Sequence, residues 1–146
     1  MTTDWLREYK RECLLDEHRA LSSFVEKEIV MTTLTKLVAI VAWLAASGSR
    51  AVPAVAVSVI ALWSVDVLYA YYGDVYKRRR LQVRSWLAAL PGATETELAA
   101  WKTPANPFDG LSRSEKIAAL TGTIGSPAVS GMYVALLVAA VTLASW

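Results

Sequence analysis

The chain has 146 residues, 55% of them hydrophobic and 19% charged, with a mean hydropathy of +0.36 and a formal net charge of +2. That composition is apolar for a soluble domain, yet it keeps a normal polar remainder, and the length allows one structural unit. A single cysteine, Cys13, excludes an internal disulfide framework, and a single histidine, His18, excludes a His/Cys metal cluster.

The N-terminal MTTDWLREYK is acidic and basic by turns, with no short apolar core and cleavage site behind it, so it does not read as a secretory signal. Residues 4–29 read as a cytoplasmic amphipathic helix. Leu6, Tyr9, Cys13, Leu21, Phe24 and Val25 recur at helical spacing, while Glu8, Glu12, Asp16, Glu17 and Glu26 fall elsewhere. No proline or glycine occurs before Gly48, so the helix is expected to continue unbroken into the apolar stretch 30–47. Such a helix would be roughly 60–65 Å long. Stretches 30–47, 52–72 and 128–145 each fit the roughly 17–25 residues with which an apolar helix crosses a bilayer. The expected fold class is all-α: a three-span helical membrane protein with a long N-terminal amphipathic helix and a helical cytoplasmic loop.

Ser47-Gly48-Ser49-Arg50 reads as a turn, with Pro53 near the start of the next helix, so the first two spans form a hairpin. The second span ends in Tyr69, Tyr71 and Tyr72, an aromatic cluster of the kind found at a membrane–water boundary. The basic run Lys77-Arg78-Arg79-Arg80 and then Arg84 follow. Residues 73–125 form the second polar region. The helix there should reach Leu87 and stop before Pro91-Gly92. Thr94-Glu95-Thr96-Glu97 is a capping-box pattern opening a short helix through Trp101, and Pro104, Asn106 and Pro107 mark a loop. Ser112-Arg113-Ser114-Glu115 is a second capping box, its helix closing at Gly122, and Ser126-Pro127 starts the third span. Lysine and arginine set the orientation. Arg7, Lys10, Arg11, Arg19 and Lys27 precede the first span, and Lys77, Arg78, Arg79, Arg80, Arg84, Lys102, Arg113 and Lys116 lie in the second polar region. The hairpin turn carries only Arg50, and nothing basic follows Lys116. The positive-inside rule places both polar regions in the cytoplasm and the C-terminus outside.

Two ionisable residues lie inside spans, Lys36 in the first and Asp66 in the second. Each costs at least about 2.5–3.5 kcal/mol at mid-bilayer on insertion scales. They sit at similar distances from the hairpin turn, so an ion pair across the hairpin is geometrically natural. The other reading is that they line an aqueous path, and Lys36 could also snorkel to the interface. Thr32, Lys36, Ala39 and Trp43 form one helical stripe of mixed polarity, suited to a cavity or a subunit contact. Thr33 and Thr35 flank it, and their hydroxyls can bond back to helix carbonyls. Gly131, Ala135 and Ala139 give the third span a small-residue stripe for helix packing. Lys77, Arg78, Arg79, Arg80 and Arg84 read first as anchors at anionic lipid headgroups, and second as a site for a nucleotide or oligonucleotide signal, with Tyr76 and Trp86 able to stack on bases. Arg11 and His18 fit a loose Arg-x6-His pattern similar to that of HEPN ribonucleases, but no second half of a site accompanies them. No phosphate-binding loop, dinucleotide fingerprint or nucleophile elbow is present, so neither an enzyme nor a cofactor or metal is expected.

The order of features resembles small bacterial membrane proteins of antiphage defence loci, namely CRISPR-associated small membrane pore proteins and the Hailong-type transmembrane effector. The residues that carry the resemblance are Tyr9-Lys10 in the charged helix, Trp63-Ser64-Val65-Asp66 ahead of the tyrosine-rich residues 69–76, Lys77-Arg78-Arg79-Arg80-Leu81, and residues 126–133 opening the last span. The chain departs from that pattern at Val67-Leu68, between Asp66 and the tyrosines, and where arginine replaces a glutamate in the basic helix. The resemblance implies a homo-oligomeric effector in the bacterial inner membrane that permeabilises or depolarises it, with no catalytic residues. Two functions therefore stand: an oligomeric pore or ion channel gated by a cytoplasmic signal or partner, and a non-conducting membrane adaptor that docks a cytoplasmic partner protein. Tetramer is the preferred assembly.

Overall fold

The computed structural model describes residues 3–46, 52–104 and 106–144. The chain is all-helical, with 89% helix and no strand among the described residues. The elements are α1 (Thr3–Ala46), α2 (Val52–Ala89), a 3-10 turn (Leu90–Gly92), α3 (Glu95–Ala100), α4 (Arg113–Ile124) and α5 (Pro127–Ala144). The expected turn at Ser47-Gly48-Ser49-Arg50 lies outside the described residues. α1 and α2 are each long and apolar enough to cross a membrane. α4 and α5 meet that test only as a pair, bent by 49° at their break. The residues divide into two compact units. Met1–Glu26 with Gly73–Leu111 form the first, and Lys27–Tyr72 with Ser112–Trp146 form the second.

The first unit packs the start of α1 against the end of α2, the 3-10 turn and α3. Leu14, Leu21 and Val83 are buried together, with Tyr76, Trp86, Leu87 and Trp101 around them. Leu90, Ala93 and Leu98 make a second cluster, against Leu6 and Trp101. Each fully buried leucine stabilises this unit by about 2–3 kcal/mol. The buried face of α1 differs from the expected stripe. Leu14 is 1% exposed while Tyr9 is 51% exposed and stacks on Trp5. The inward row runs Leu6, Lys10, Leu14, Glu17, Leu21, and it contains two charged residues. Lys10 Nζ donates to the Trp101 carbonyl at 2.7 Å, and Glu17 pairs with Arg79. Both partners come from distant sequence, so periodicity could not reveal that these charges face inward.

Local chemistry starts the short helices. Thr94 and Glu97 close a reciprocal capping box on α3, and Ser112 and Glu115 do the same on α4. Each satisfies two backbone N–H groups that the first helical turn would otherwise leave bare. α4 runs two residues past Gly122 and stops at Ile124.

The second unit packs Ala39, Val55, Val59 and Tyr133 at its centre, with Trp43, Leu62, Trp63, Met132, Leu136 and Leu137 around them. Its outer faces are apolar. Val30, Leu37, Val41, Val57, Val134, Val138 and Val141 are all more than half exposed. Water opposes such a surface and acyl chains do not, as expected of helices that sit in lipid.

Candidate functional site

The polar interior of the second unit is built on four consecutive inward positions of α2: Val55, Val59, Leu62 and Asp66. Asp66 takes the fourth place, and its side chain is 1% exposed. Lys36, projecting from α1, brings its ammonium to 3.6 Å from Asp66 Oδ2 and donates to the Ala128 carbonyl of α5 at 3.0 Å. Its side chain is 30% exposed, so the ammonium stands at the edge of the unit while the carboxylate lies inside. Neither Asp66 oxygen accepts a hydrogen bond, and the buried Tyr133 hydroxyl makes none. That hydroxyl lies close to Asp66 and Thr35, outside hydrogen-bond geometry with either. Glu28, also buried, acts on Asp66 by its charge. A buried carboxylate is costly unless donors or cations surround it. Here a single ammonium at 3.6 Å, shared with a carbonyl, does that work.

Trp63 and Ser130 flank this cluster. Trp63 Nε1 donates to Ser130 Oγ at 3.0 Å, and Ser130 Oγ donates to the Ile124 carbonyl at 2.6 Å, across the break between α4 and α5. The expected mixed stripe of α1 faces this interior. Ala39 is fully buried, and Trp43 packs on the same cluster as Tyr133. Thr32 is half-buried and its hydroxyl bonds back to the Ile29 carbonyl. Lys36 and Asp66 thus meet, whereas Ala39 and Trp43 pack against this chain's own helices. The small-residue stripe does the opposite. Gly131 and Ala135 are exposed, and a Cβ added at Gly131 would meet nothing within 4 Å. α5 packs inward through Met132, Tyr133, Leu136 and Leu137 instead.

The basic run is divided. Arg79 is buried, and its guanidinium forks onto Glu17, with Nε to Oε1 at 2.6 Å and Nη2 to Oε2 at 3.2 Å. It also donates to Gln82 Oε1 at 2.8 Å and to the Lys102 carbonyl at 2.9 Å, and lies 4.7 Å over the Trp86 ring. Every face of the group is engaged, so a phosphate would have to displace Glu17 to reach it. Arg78 and Arg84 are exposed, and Lys77 and Arg80 are half-exposed. These four reach solvent in a way that Arg79 does not. Tyr76 stacks on Phe24 at 3.9 Å and Trp86 stacks on Trp101 at 5.7 Å, so both proposed base platforms are faces of the unit's own core. Arg11 pairs with Glu8 at 3.4 Å, and His18 is half-buried on the same helix. On α3, the backbone N–H and hydroxyl of Thr94 bond Glu97 and hold its carboxyl below the usual glutamate range.

Sequence reasoning assigns no role to Tyr133, Glu17 or the Trp63–Ser130 link. A signal existed for one more property. Arg79 falls four residues from each of two buried valines, Val75 and Val83, and so occupies a core position of α2. These features define an all-helical protein with two helices long and apolar enough to cross a membrane, and a buried carboxylate paired with a partly exposed ammonium among apolar helices. Comparison with known proteins adds no family: no family model, no curated protein and no solved structure gives a significant match.

Proposed function

We propose that the chain is a homo-oligomeric bacterial membrane protein that conducts ions, acting as an antiphage effector gated from the cytoplasm. In this reading α1, α2 and the α4–α5 pair supply three spans. The N-terminus and the first unit are cytoplasmic, and the C-terminus is outside, the orientation that the lysine and arginine distribution favours. The membrane is the inner, or plasma, membrane. The observation that carries the reading is the Lys36–Asp66 pair, because ionisable groups inside spans are expensive and mark ion pathways by default. Lys36 presents its exposed edge to the conducting path and Asp66 backs it, with Thr32 a turn away. Ala39 and Trp43 form the wall behind them. The open Gly131–Ala135 face and the apolar outer rows give neighbouring subunits a surface for close approach. Four subunits can enclose a narrow axis, and a ring of lysines there would tune selectivity. A nucleotide, an oligonucleotide or a defence-locus partner protein acting at Lys77, Arg78, Arg80 and Arg84 supplies the gating signal by preferring one state.

Ion flux from liposomes holding the purified protein tests the reading. The wild type conducts once activated, and Lys36→Met changes conductance or gating while leaving membrane insertion intact. The second reading, a non-conducting adaptor, rests on the packing of Ala39 and Trp43 inside the chain, which removes half of the expected lining stripe from any shared axis. Protein that never conducts, with or without its genomic partner, decides for the adaptor.

A further inference from the structure

The cluster around Asp66 holds more oxygen than one ammonium can satisfy. Asp66 Oδ1 and Oδ2 and the Tyr133 hydroxyl are buried without hydrogen-bond partners. Thr35 Oγ beside them donates to the Met31 and Thr32 carbonyls, which leaves its lone pairs free to accept. The Ala128 carbonyl joins them through Lys36. All belong to the second unit, on α1, α2 and α5. Lys36 has a partly exposed side chain on a flexible stem, so it can withdraw toward the edge while the oxygens stay in place.

We infer that Asp66, Tyr133, Thr35 and the Ala128 carbonyl form a binding site for a dehydrated monovalent metal cation, sodium in size class, for which the Lys36 ammonium is a tethered competitor. Carboxylate, phenol, hydroxyl and carbonyl oxygens are ligands of hard cations, and such oxygens replace a hydration shell inside membranes. A monovalent ion exchanges with the ammonium charge for charge. A divalent ion would leave an extra charge in the span, which lipid opposes. Glu28 adds negative potential at Asp66 and favours either occupant. The inference rests on the placement of this cluster in a membrane and not on conduction, so a silent adaptor can bind the ion and an active pore can fail to.

The test is radioactive sodium binding to the full chain in nanodiscs, titrated against choline at constant ionic strength. If Lys36 occupies Asp66 nine-tenths of the time, it weakens the apparent affinity about tenfold. Lys36→Gln is therefore expected to bind sodium about tenfold more tightly than the wild type, Tyr133→Phe more weakly, and Asp66→Asn not at all. Helix content and a single elution peak establish that each variant is folded. Should the variants not fold, the wild type decides: its melting midpoint rises as sodium replaces choline. Lys36→Gln protein that retains no more sodium than Asp66→Asn overturns the site, as does a wild-type midpoint that is indifferent to the cation. A variant that takes up protons on acidification but never sodium also overturns it.

Discussion

Arg79→Ala is the sharpest perturbation of the first unit. It leaves Glu17, whose side chain is 11% exposed, a largely buried carboxylate without its ion-pair partner. It also takes the donor from the Lys102 carbonyl and the cation from the face of Trp86. Breaking a buried pair by removing one partner costs about 3–5 kcal/mol. The small opening at Glu17 lets some water reach the stranded charge, so the low end, about 3 kcal/mol, is the working figure. In native-state hydrogen exchange that corresponds to about a hundredfold loss of protection. Peptides from residues 5–25 and 75–100, read by mass spectrometry on the detergent-solubilised chain, report it. Arg78→Ala is the control, exposed and one residue away, with an expected change within about 0.5 kcal/mol. Replacing both partners with apolar residues, Arg79→Met with Glu17→Leu, restores most of the protection, because it removes the stranded charge as well as the pair. If Arg79→Ala and Arg78→Ala lose protection equally, the pair is ornamental and the reasoning fails.

Three further outcomes follow from the same geometry. Neutralising Arg78, Arg80 and Arg84 to glutamine leaves the fold intact and lowers retention of anionic lipid, by about fivefold per charge in native mass spectrometry, since each headgroup contact contributes about 1 kcal/mol; unchanged retention would assign these residues elsewhere. Cys13, half-buried on α1, stays unlabelled by an impermeant thiol reagent in intact cells and reacts only after lysis, while Ser49→Cys labels from outside; the reverse pattern inverts the topology. The start of α3 loosens in acid. Glu97 has a lower value folded than unfolded, so its contribution is whole above the unfolded glutamate range and fades as pH falls through the folded value. Amide exchange at residues 94–98, followed by NMR, shows that acid sensitivity in the wild type and not in Thr94→Ala.

The all-helical class and the two long apolar helices were legible because long apolar runs and the absence of breakers are local properties. Capping boxes at Thr94 and Ser112 were legible for the same reason: both partners lie within four residues. The inward charges were not. Lys10, Glu17 and Arg79 sit at core positions of their helices, yet by composition they read as solvated, since the Trp101 carbonyl, the Glu17–Arg79 pairing and the Lys102 carbonyl that make burial tolerable join residues more than twenty apart. Asp66 shows the same effect in the second unit, where the depth match with Lys36 pointed to a partner but not to Tyr133. The third apolar stretch was legible as apolar. That its helix is bent against α4 was not, because Gly125-Ser126-Pro127 signals a break without giving an angle.

The bend between α4 and α5 also bears on bilayer thickness. α5 has 18 residues, which rise about 27 Å, slightly less than a typical hydrocarbon core of about 30 Å. A crossing by α5 therefore brings the break at residues 125–126 to the headgroup boundary or below it. Below that boundary, in the hydrocarbon, bare carbonyls are not tolerated. Ser130 covers the Ile124 carbonyl and Lys36 covers that of Ala128. The Ile124 carbonyl at the break therefore keeps a donor when that end of α5 lies at the boundary. With α5 as a span, a thicker bilayer loads the α4–α5 angle and the Ser130 and Lys36 contacts beside it, so mismatch would fall on the break before it falls on the helix.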